Sequence, residues 1–241
     1  MPDSTSIVTN RLLCSLLVAT ERRLSPYLEE VSLVSGQTIY ESGAKITDIY
    51  FPQNARLSLL LIMGDRFPIE ITSIGNEGLV GIPAILGGNL ANTSSVVQIP
   101  GTTMKLPAEV INQEFKRGED LQQILLLYTQ AQINQISQIA ACRSRHDIEQ
   151  RLARWLLSVD NNGQQDTLPL TQKFISLMLG VRRASITEIA ISLQKQGIIQ
   201  YSRGKIAILN RSKLELIACE CYDKIQNEYK RLLEPKLSKK N

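Results

Sequence analysis

The residues most able to do chemistry are the cations between positions 182 and 205. Arg182 and Arg183 stand together at the head of a segment with helical periodicity, and Arg203 and Lys205 flank a glycine further on. A guanidinium holds guanine O6 and N7 through two hydrogen bonds, so Arg183, near the start of a helix, is the candidate for reading a base. Glu188, further along the same helix, carries the acceptor that a cytosine N4 amine needs. Arg182, Ser185, Arg203 and Lys205 suit phosphates, which fix register without reading sequence. Thr171 and Thr187 complete the set expected at a DNA surface. Two adjacent arginines alone signify only a solvated helix face; the order of the elements around them carries the reading.

Those elements run from Leu168 to Glu215: LPLTQKFISLMLGVRRASITEIAISLQKQGIIQYSRGKIAILNRSKLE. Thr171 is placed to cap a first helix whose apolar face is Phe174, Ile175, Met178 and Leu179, and Gly180-Val181 makes a tight turn. A second helix comes next, with Ile186, Ile189, Ala190 and Leu193 inward and Gly197 as its stop. Ile198 to Tyr201 and Ile206 to Leu209 predict two strands joined by the basic turn Ser202-Arg203-Gly204-Lys205. Ser212 to Glu215 fits a capping box, which predicts a further helix continuing through Ile217, Cys221 and Ile225. Helix, glycine turn, basic helix, glycine stop and basic hairpin make a winged helix-turn-helix.

Upstream the texture differs. Residues 10–30 read as helical with a break at Pro26. From Val31 to about Leu106 short alternating apolar runs are separated by turn signals, Ser35-Gly36, Gly64-Asp65 and Gly75-Asn76 among them, which predicts a β-sandwich or barrel. Pro107 opens another helical stretch, and a long helix runs from Leu121 to about Cys142. Within it Leu126, Thr129, Ile133, Ile136 and Ala140 keep a heptad a/d spacing. Either a coiled-coil dimer seam or a single amphipathic core helix accounts for that stripe. A helix from Asp147 to Val159 places Ile148, Leu152, Trp155 and Leu156 on one face, and Asn161-Asn162-Gly163 ends it.

The chain's net charge is +4, but it is unevenly spread: −4 over residues 1–142, +7 over 143–213 and +1 over the remainder. A basic module behind an acidic one is what attraction to phosphate requires. The longest apolar run, Leu57 to Met63, is far short of the roughly 20 residues that span a bilayer, and the acidic start at Asp3 is unlike a signal peptide. A cytoplasmic protein with no membrane partner is expected. Four cysteines and one histidine leave little room for disulfides, His-based catalysis or a metal centre. Cys219-x-Cys221 falls on a predicted helix, where i and i+2 point apart, so two free thiols are expected, and no metal or cofactor. His146 reads as the start of a helix.

From about residue 10 to 220 this order of parts resembles the Crp-Fnr superfamily of transcription regulators. The resemblance implies an α+β chain: a jelly-roll β domain of the cyclic-nucleotide-binding type (1–119), a dimerisation helix (120–145) and a winged helix-turn-helix with a C-terminal helix (146–241). It also implies a homodimer on a two-fold-related site in double-stranded DNA, in contact with RNA polymerase. The family's recognition helix commonly reads R-E-T-V-x-R; here the stretch is Arg183-Ala184-Ser185-Ile186-Thr187-Glu188, so Arg183 and a hydroxyl carry over, while Ala184 and Glu188 depart. Arg182 stands where Ser or Thr normally caps. In the sensor domain, Val80-Gly81-Ile82 replaces Ile-Gly-Glu and Asn92-Thr93 replaces Arg-Ser, which removes the partners of the ribose hydroxyl and the cyclic phosphate. A cAMP-independent regulator with an unidentified effector is expected. Cys14 alone cannot hold the iron–sulfur cluster of the family's oxygen sensors. No catalytic triad or P-loop appears, so an enzyme is not expected. The alternative is a ligand- or protein-binding β-roll whose helical tail is an interaction platform without DNA binding.

Overall fold

Alternating apolar and polar residues between 29 and 107 produce seven strands, and helical spacing governs most of the chain beyond them. The computed structural model describes residues 8–64, 67–160 and 167–237, the last three without side chains. In chain order the elements are α1 (Arg11–Cys14), α2 (Val18–Leu24), β1 (Glu29–Leu33), β2 (Thr38–Tyr40), β3 (Asp48–Pro52), β4 (Arg56–Ile62), β5 (Pro68–Ile74), α3 (Ile82–Ile85), β6 (Ser94–Ile99), β7 (Gly101–Pro107), α4 (Ala108–Phe115) and α5 (Asp120–Arg145). After these come α6 (Ile148–Val159), α7 (Gln172–Leu179), α8 (Arg183–Lys195), β8 (Ile199–Ser202), β9 (Lys205–Ile208), α9 (Arg211–Ile217) and α10 (Cys221–Leu237). Two compact units result: one runs through residue 59, 73–133 and from 228 onward, the other holds 60–72 and 134–227.

The first seven strands form a three-stranded sheet, β1-β7-β3, and a four-stranded sheet, β2-β6-β4-β5. The pairing of β7 with β1 and with β3 is antiparallel. Leu33, Ala55, Leu57, Ile74, Val80 and Val97 form a buried cluster drawn from both sheets, with Val31, Tyr40 and Tyr50 packed against it. Period-two burial is visible in β3, where Ile49 and Phe51 are buried and Tyr50 is half-exposed. Pro107, in extended backbone, precedes α4.

The second unit is built on α6. Asp147 caps it in a reciprocal box with Gln150, so His146 lies just outside the helix rather than at its start, its amide donating to the Cys142 carbonyl. Leu152, Trp155 and Leu156 are buried as the periodicity predicts. The predicted helix stop Asn161-Asn162-Gly163, and Asp3 and Asp65, lie outside the described residues. Trp155 Nε1 donates to Glu70 Oε1 at 2.8 Å, and Glu70 is itself buried. Removing that donor strips a buried carboxylate of a charge-assisted bond. Trp155→Phe should therefore lower the stability of this unit by about 1–3 kcal/mol, read by circular dichroism in urea; an unchanged midpoint would show that the bond contributes nothing.

Two expectations for the C-terminal helices fail. Ser212 does not cap: the cap of α9 is Asn210, whose side chain accepts from the Lys213 amide at 2.9 Å, and Ser212 lies within the helix. Nor does that helix continue through Cys221. It ends at Ile217, Ala218 is extended (ψ 145°), and α10 starts at Cys221. Cys219 thus lies outside any helix, and the argument that Cys219 and Cys221 point apart falls with it.

Candidate nucleic-acid interface

Local chemistry sets each piece of the winged motif. Thr171 Oγ1 accepts from the Phe174 amide at 3.1 Å and caps α7. Gly180, at φ +64°, turns the chain in the left-handed region and closes the helix. Arg182 occupies the capping position of α8 in extended backbone, and no side chain caps the helix there. Its first-turn amides are thus left without the usual hydroxyl partner, the setting in which a helix N-terminus favours an anion. Ile186, Ala190 and Leu193 are buried.

The wing is a two-residue hairpin with Ser202 opposite Lys205. Both turn residues have positive φ, Arg203 at 48° and Gly204 at 78°, the signs of a type I′ turn that matches strand twist. Glycine is suited to this; arginine is not, and its left-handed backbone costs about 1–2 kcal/mol. A basic side chain is thus held at the tip despite its backbone preference. Leu168 adds a backbone bridge to Ile206.

Three hydrogen bonds tie α8, α7 and the wing together. Thr187 Oγ1 donates to Gln172 Oε1 at 2.8 Å, the Gln172 amide donates to Tyr201 Oη at 3.2 Å, and the Tyr201 amide donates to Gln194 Oε1 at 2.9 Å. The sequence does not mark Gln172, Tyr201 and Gln194 for this role, because nothing in a polar residue's type reveals a long-range partner.

On this frame Arg182, Arg183 and Glu188 are exposed on α8, and Arg203 and Lys205 are exposed on the wing. Ser185 is half-buried. Thr187 is half-buried with its hydroxyl engaged inside the unit, so it positions α8. Thr171 is exposed at the start of α7, and a Cβ on Gly204 would come within 3.3 Å of its methyl. Exposed Ala184, unremarkable by residue type, adds a methyl of the kind that contacts thymine. Several cations of the basic segment are occupied elsewhere. Arg143 donates to the Glu70 carbonyl, Arg151 to the Leu179 carbonyl at 2.6 Å, Arg211 pairs with Asp160 at 2.5 Å, and Arg154 is buried. Burial pushes the Arg143 and Arg151 guanidinium pKa values down from their usual range. Of the exposed cations left over, Lys173 lies on α7, Arg182, Arg183 and Lys195 at or on α8, and Arg203 and Lys205 on the wing, with Arg145 at the end of α5 and Lys213 on α9.

Along α5, Leu121, Ile124, Leu125, Tyr128, Ala131, Ile139 and Cys142 are buried. The heptad stripe lies on another face: Leu126 is 50% and Ile133 58% exposed, Thr129 and Ile136 are half-exposed and Ala140 exposed. The helix therefore has a core face and a second, uncovered apolar stripe. Thr129 Oγ1 donates back to the Leu125 carbonyl at 2.8 Å, which satisfies its hydroxyl within the helix.

Comparison with known proteins gives the same picture. Residues 150–217 match the family model of the Crp-like helix-turn-helix domain. A global nitrogen regulator from Nostoc sp. is 20% identical over 181 residues, 71% of this chain and 81% of that protein. FixK2 from Bradyrhizobium japonicum superposes with a TM-score of 0.68 at 15% identity, over 80% of this chain and 98% of that one. A CRP-family transcriptional regulator from Thermus thermophilus gives 0.63 at 16% identity, over 78% and 96%. The structural likenesses show the fold; the helix-turn-helix match carries the function. The protein is a DNA-binding transcription regulator. Residues 150–217 carry a Crp-like helix-turn-helix, and the chain as a whole is similar in fold to regulators of the Crp-Fnr type, as the order of its parts implied. Nothing favours a β-roll module whose helical tail does not bind DNA.

Proposed function

We propose that the protein acts as a cytoplasmic, non-enzymatic homodimer that places α8 of each protomer in the major groove of a two-fold-related DNA site. The assignment of 1–119 as sensor-like body, 120–145 as dimerisation helix and 146–241 as DNA-binding part goes with it. The observation that carries it is the exposure of Arg182, Arg183 and Glu188 on a helix tied to a wing bearing Arg203 and Lys205. Arg183 reads a base; Arg182, Ser185, Arg203 and Lys205 hold phosphates, with Thr171 beside the wing and Thr187 setting the helix. Leu126, Thr129, Ile133, Ile136 and Ala140 form the dimer seam. Dimerisation places two recognition helices on one duplex, from which the protein would act on RNA polymerase. Among the described residues no helix is long and apolar enough to cross a membrane. Selection of bound sequences from a random duplex library, then mobility shifts on the selected site over a salt series, tests the reading. A recovered two-fold motif whose binding falls steeply with salt is expected; failure to enrich any sequence would overturn it.

Cyclic AMP is not the signal in this proposal. Ile82, at the start of the four-residue α3, offers no acceptor for a ribose hydroxyl, and exposed Asn92 offers no cation for a phosphate. Titration calorimetry with cAMP should give no binding heat, and the nucleotide should leave the mobility shift unchanged. A micromolar dissociation constant would refute this reading of the pocket.

A further inference from the structure

We propose that Cys142, His146, Cys219 and Cys221 form a tetrahedral site for a thiophilic divalent metal ion, zinc(II) foremost. The chain has one histidine and four cysteines. The histidine and three of the cysteines converge, with their ligand atoms all within 4.8 Å of one another; Cys14 is exposed on α1 in the other unit. Convergence of two stretches of chain, 142–146 and 219–221, on four ligands of the types zinc prefers is not what apolar packing alone selects.

The distances match the coordination polyhedron. Zn–S bonds of about 2.3 Å and a Zn–N bond of about 2.0–2.1 Å imply tetrahedral edges of about 3.8 Å between sulfurs and about 3.6 Å from sulfur to nitrogen. Cys142 Sγ lies 3.5 Å from Cys219 Sγ, and Cys221 Sγ lies 3.6 Å from His146 Nδ1. The break between α9 and α10 makes this arrangement possible: with Ala218 extended, Cys219 approaches from the connection and Cys221 from the first residue of α10. Cys142 comes from the last turns of α5, and His146 from the link to α6.

The surroundings are those of a ligand set. His146 Nε2 is 3.1 Å from Glu220 Oε2; a proton held there by the carboxylate leaves Nδ1 as the lone-pair donor facing the thiols, the usual outer support of a metal-bound imidazole. Gln138 Nε2 donates to Cys221 Sγ at 3.1 Å, a bond that suits a thiolate. The three cysteines are buried, at 1%, 4% and 1% exposure. On binding, three S–H protons pass to solvent as three sulfur–metal bonds form, leaving a centre of net charge −1. The Arg151 guanidinium lies within electrostatic range of Cys142 and Cys219 and offsets it. With four protein ligands no position is open to substrate, so the ion acts as a structural cross-link. It would fasten the end of α5 to the start of α10 within the unit that carries the winged motif. A Cys142–Cys219 disulfide is the competing chemistry, but it leaves Cys221, His146 and the Glu220 support without a role.

The test uses the full-length protein purified under reducing, anaerobic conditions. Elemental analysis should return one zinc per chain. After removal of zinc, titration with cobalt(II) chloride should saturate at one equivalent with the intense visible bands and thiolate charge transfer of a tetrahedral cobalt–thiolate centre, and added zinc should bleach them. Cys14→Ser should leave this unchanged, and Cys219→Ser should abolish it. Glu220→Gln alters an exposed carboxylate and keeps all four ligands; it should weaken metal affinity about 10–100-fold with the fold intact. Absence of both zinc and cobalt uptake by reduced wild-type protein would overturn the proposal. So would a Cys142–Cys219 disulfide found by mass spectrometry in the anaerobically purified chain.

Discussion

Replacement of Ile133 by Asp is expected to convert the protein from dimer to monomer while leaving each protomer folded. Ile133 is 58% exposed in the isolated chain, so aspartate there meets water and costs the protomer little. In the proposed dimer the same position is covered by its symmetry mate, and two carboxylates would be buried without partners at several kcal/mol each. Light scattering at micromolar concentration should return the monomer mass, and the thermal melt of secondary structure should match that of the wild type. Loss of the second recognition helix removes the intramolecular advantage at a two-fold site, so affinity for the selected DNA should fall about 10²- to 10⁴-fold. Ile136→Asp should behave alike, Ile136 being half-exposed on the same stripe. A persistent dimer in both variants would show that the seam lies elsewhere.

The winged motif is legible in the sequence because its determinants are local. A threonine at the start of α7, glycines after α7 and α8, and apolar residues at helical spacing act over a few positions, and Thr171, Gly180 and Gly197 do in the structure what their types predict. The break at Ala218 is not legible. Ile217, Cys221 and Ile225 keep helical spacing through it, and neither glycine nor proline marks it. Long-range bonds accompany it instead: Arg211, in the first turn of α9, is held by Asp160 at 2.5 Å and Tyr222 at 2.9 Å. Thr187 reads as a DNA-face residue for the same reason. Helical position gives its direction, but not the Gln172 side-chain carbonyl that accepts from its hydroxyl. The thiol cluster is hidden on both counts, since its ligands are separated by as many as 79 positions, Cys142 to Cys221, and Cys219 lies outside the helix that its spacing predicts.

Arg183 and Lys205 are assigned different work at one interface, and measurement can separate them. Arg183 is the first residue of α8 and exposed, the position from which a guanidinium reaches a base edge when the helix enters the groove. A bidentate bond to guanine discriminates by about 1–3 kcal/mol, so Arg183→Ala should weaken the selected site by that amount and relax selection at one base pair per half-site. On scrambled DNA the loss should be smaller. Lys205 opens β9 directly after the turn and is exposed, which suits a phosphate. Lys205→Ala should weaken selected and scrambled DNA by similar factors and flatten the slope of log affinity against log salt, by about 0.9 for each lost contact. Neither change should alter folding, because neither side chain is buried. Equal losses on both DNAs for Arg183→Ala would make it another phosphate clamp and move the reading of sequence to Glu188 and Ala184. A silent Lys205→Ala would mean the wing does not reach the backbone, and the three hydrogen bonds through Gln172 and Tyr201 would then serve only to brace α8.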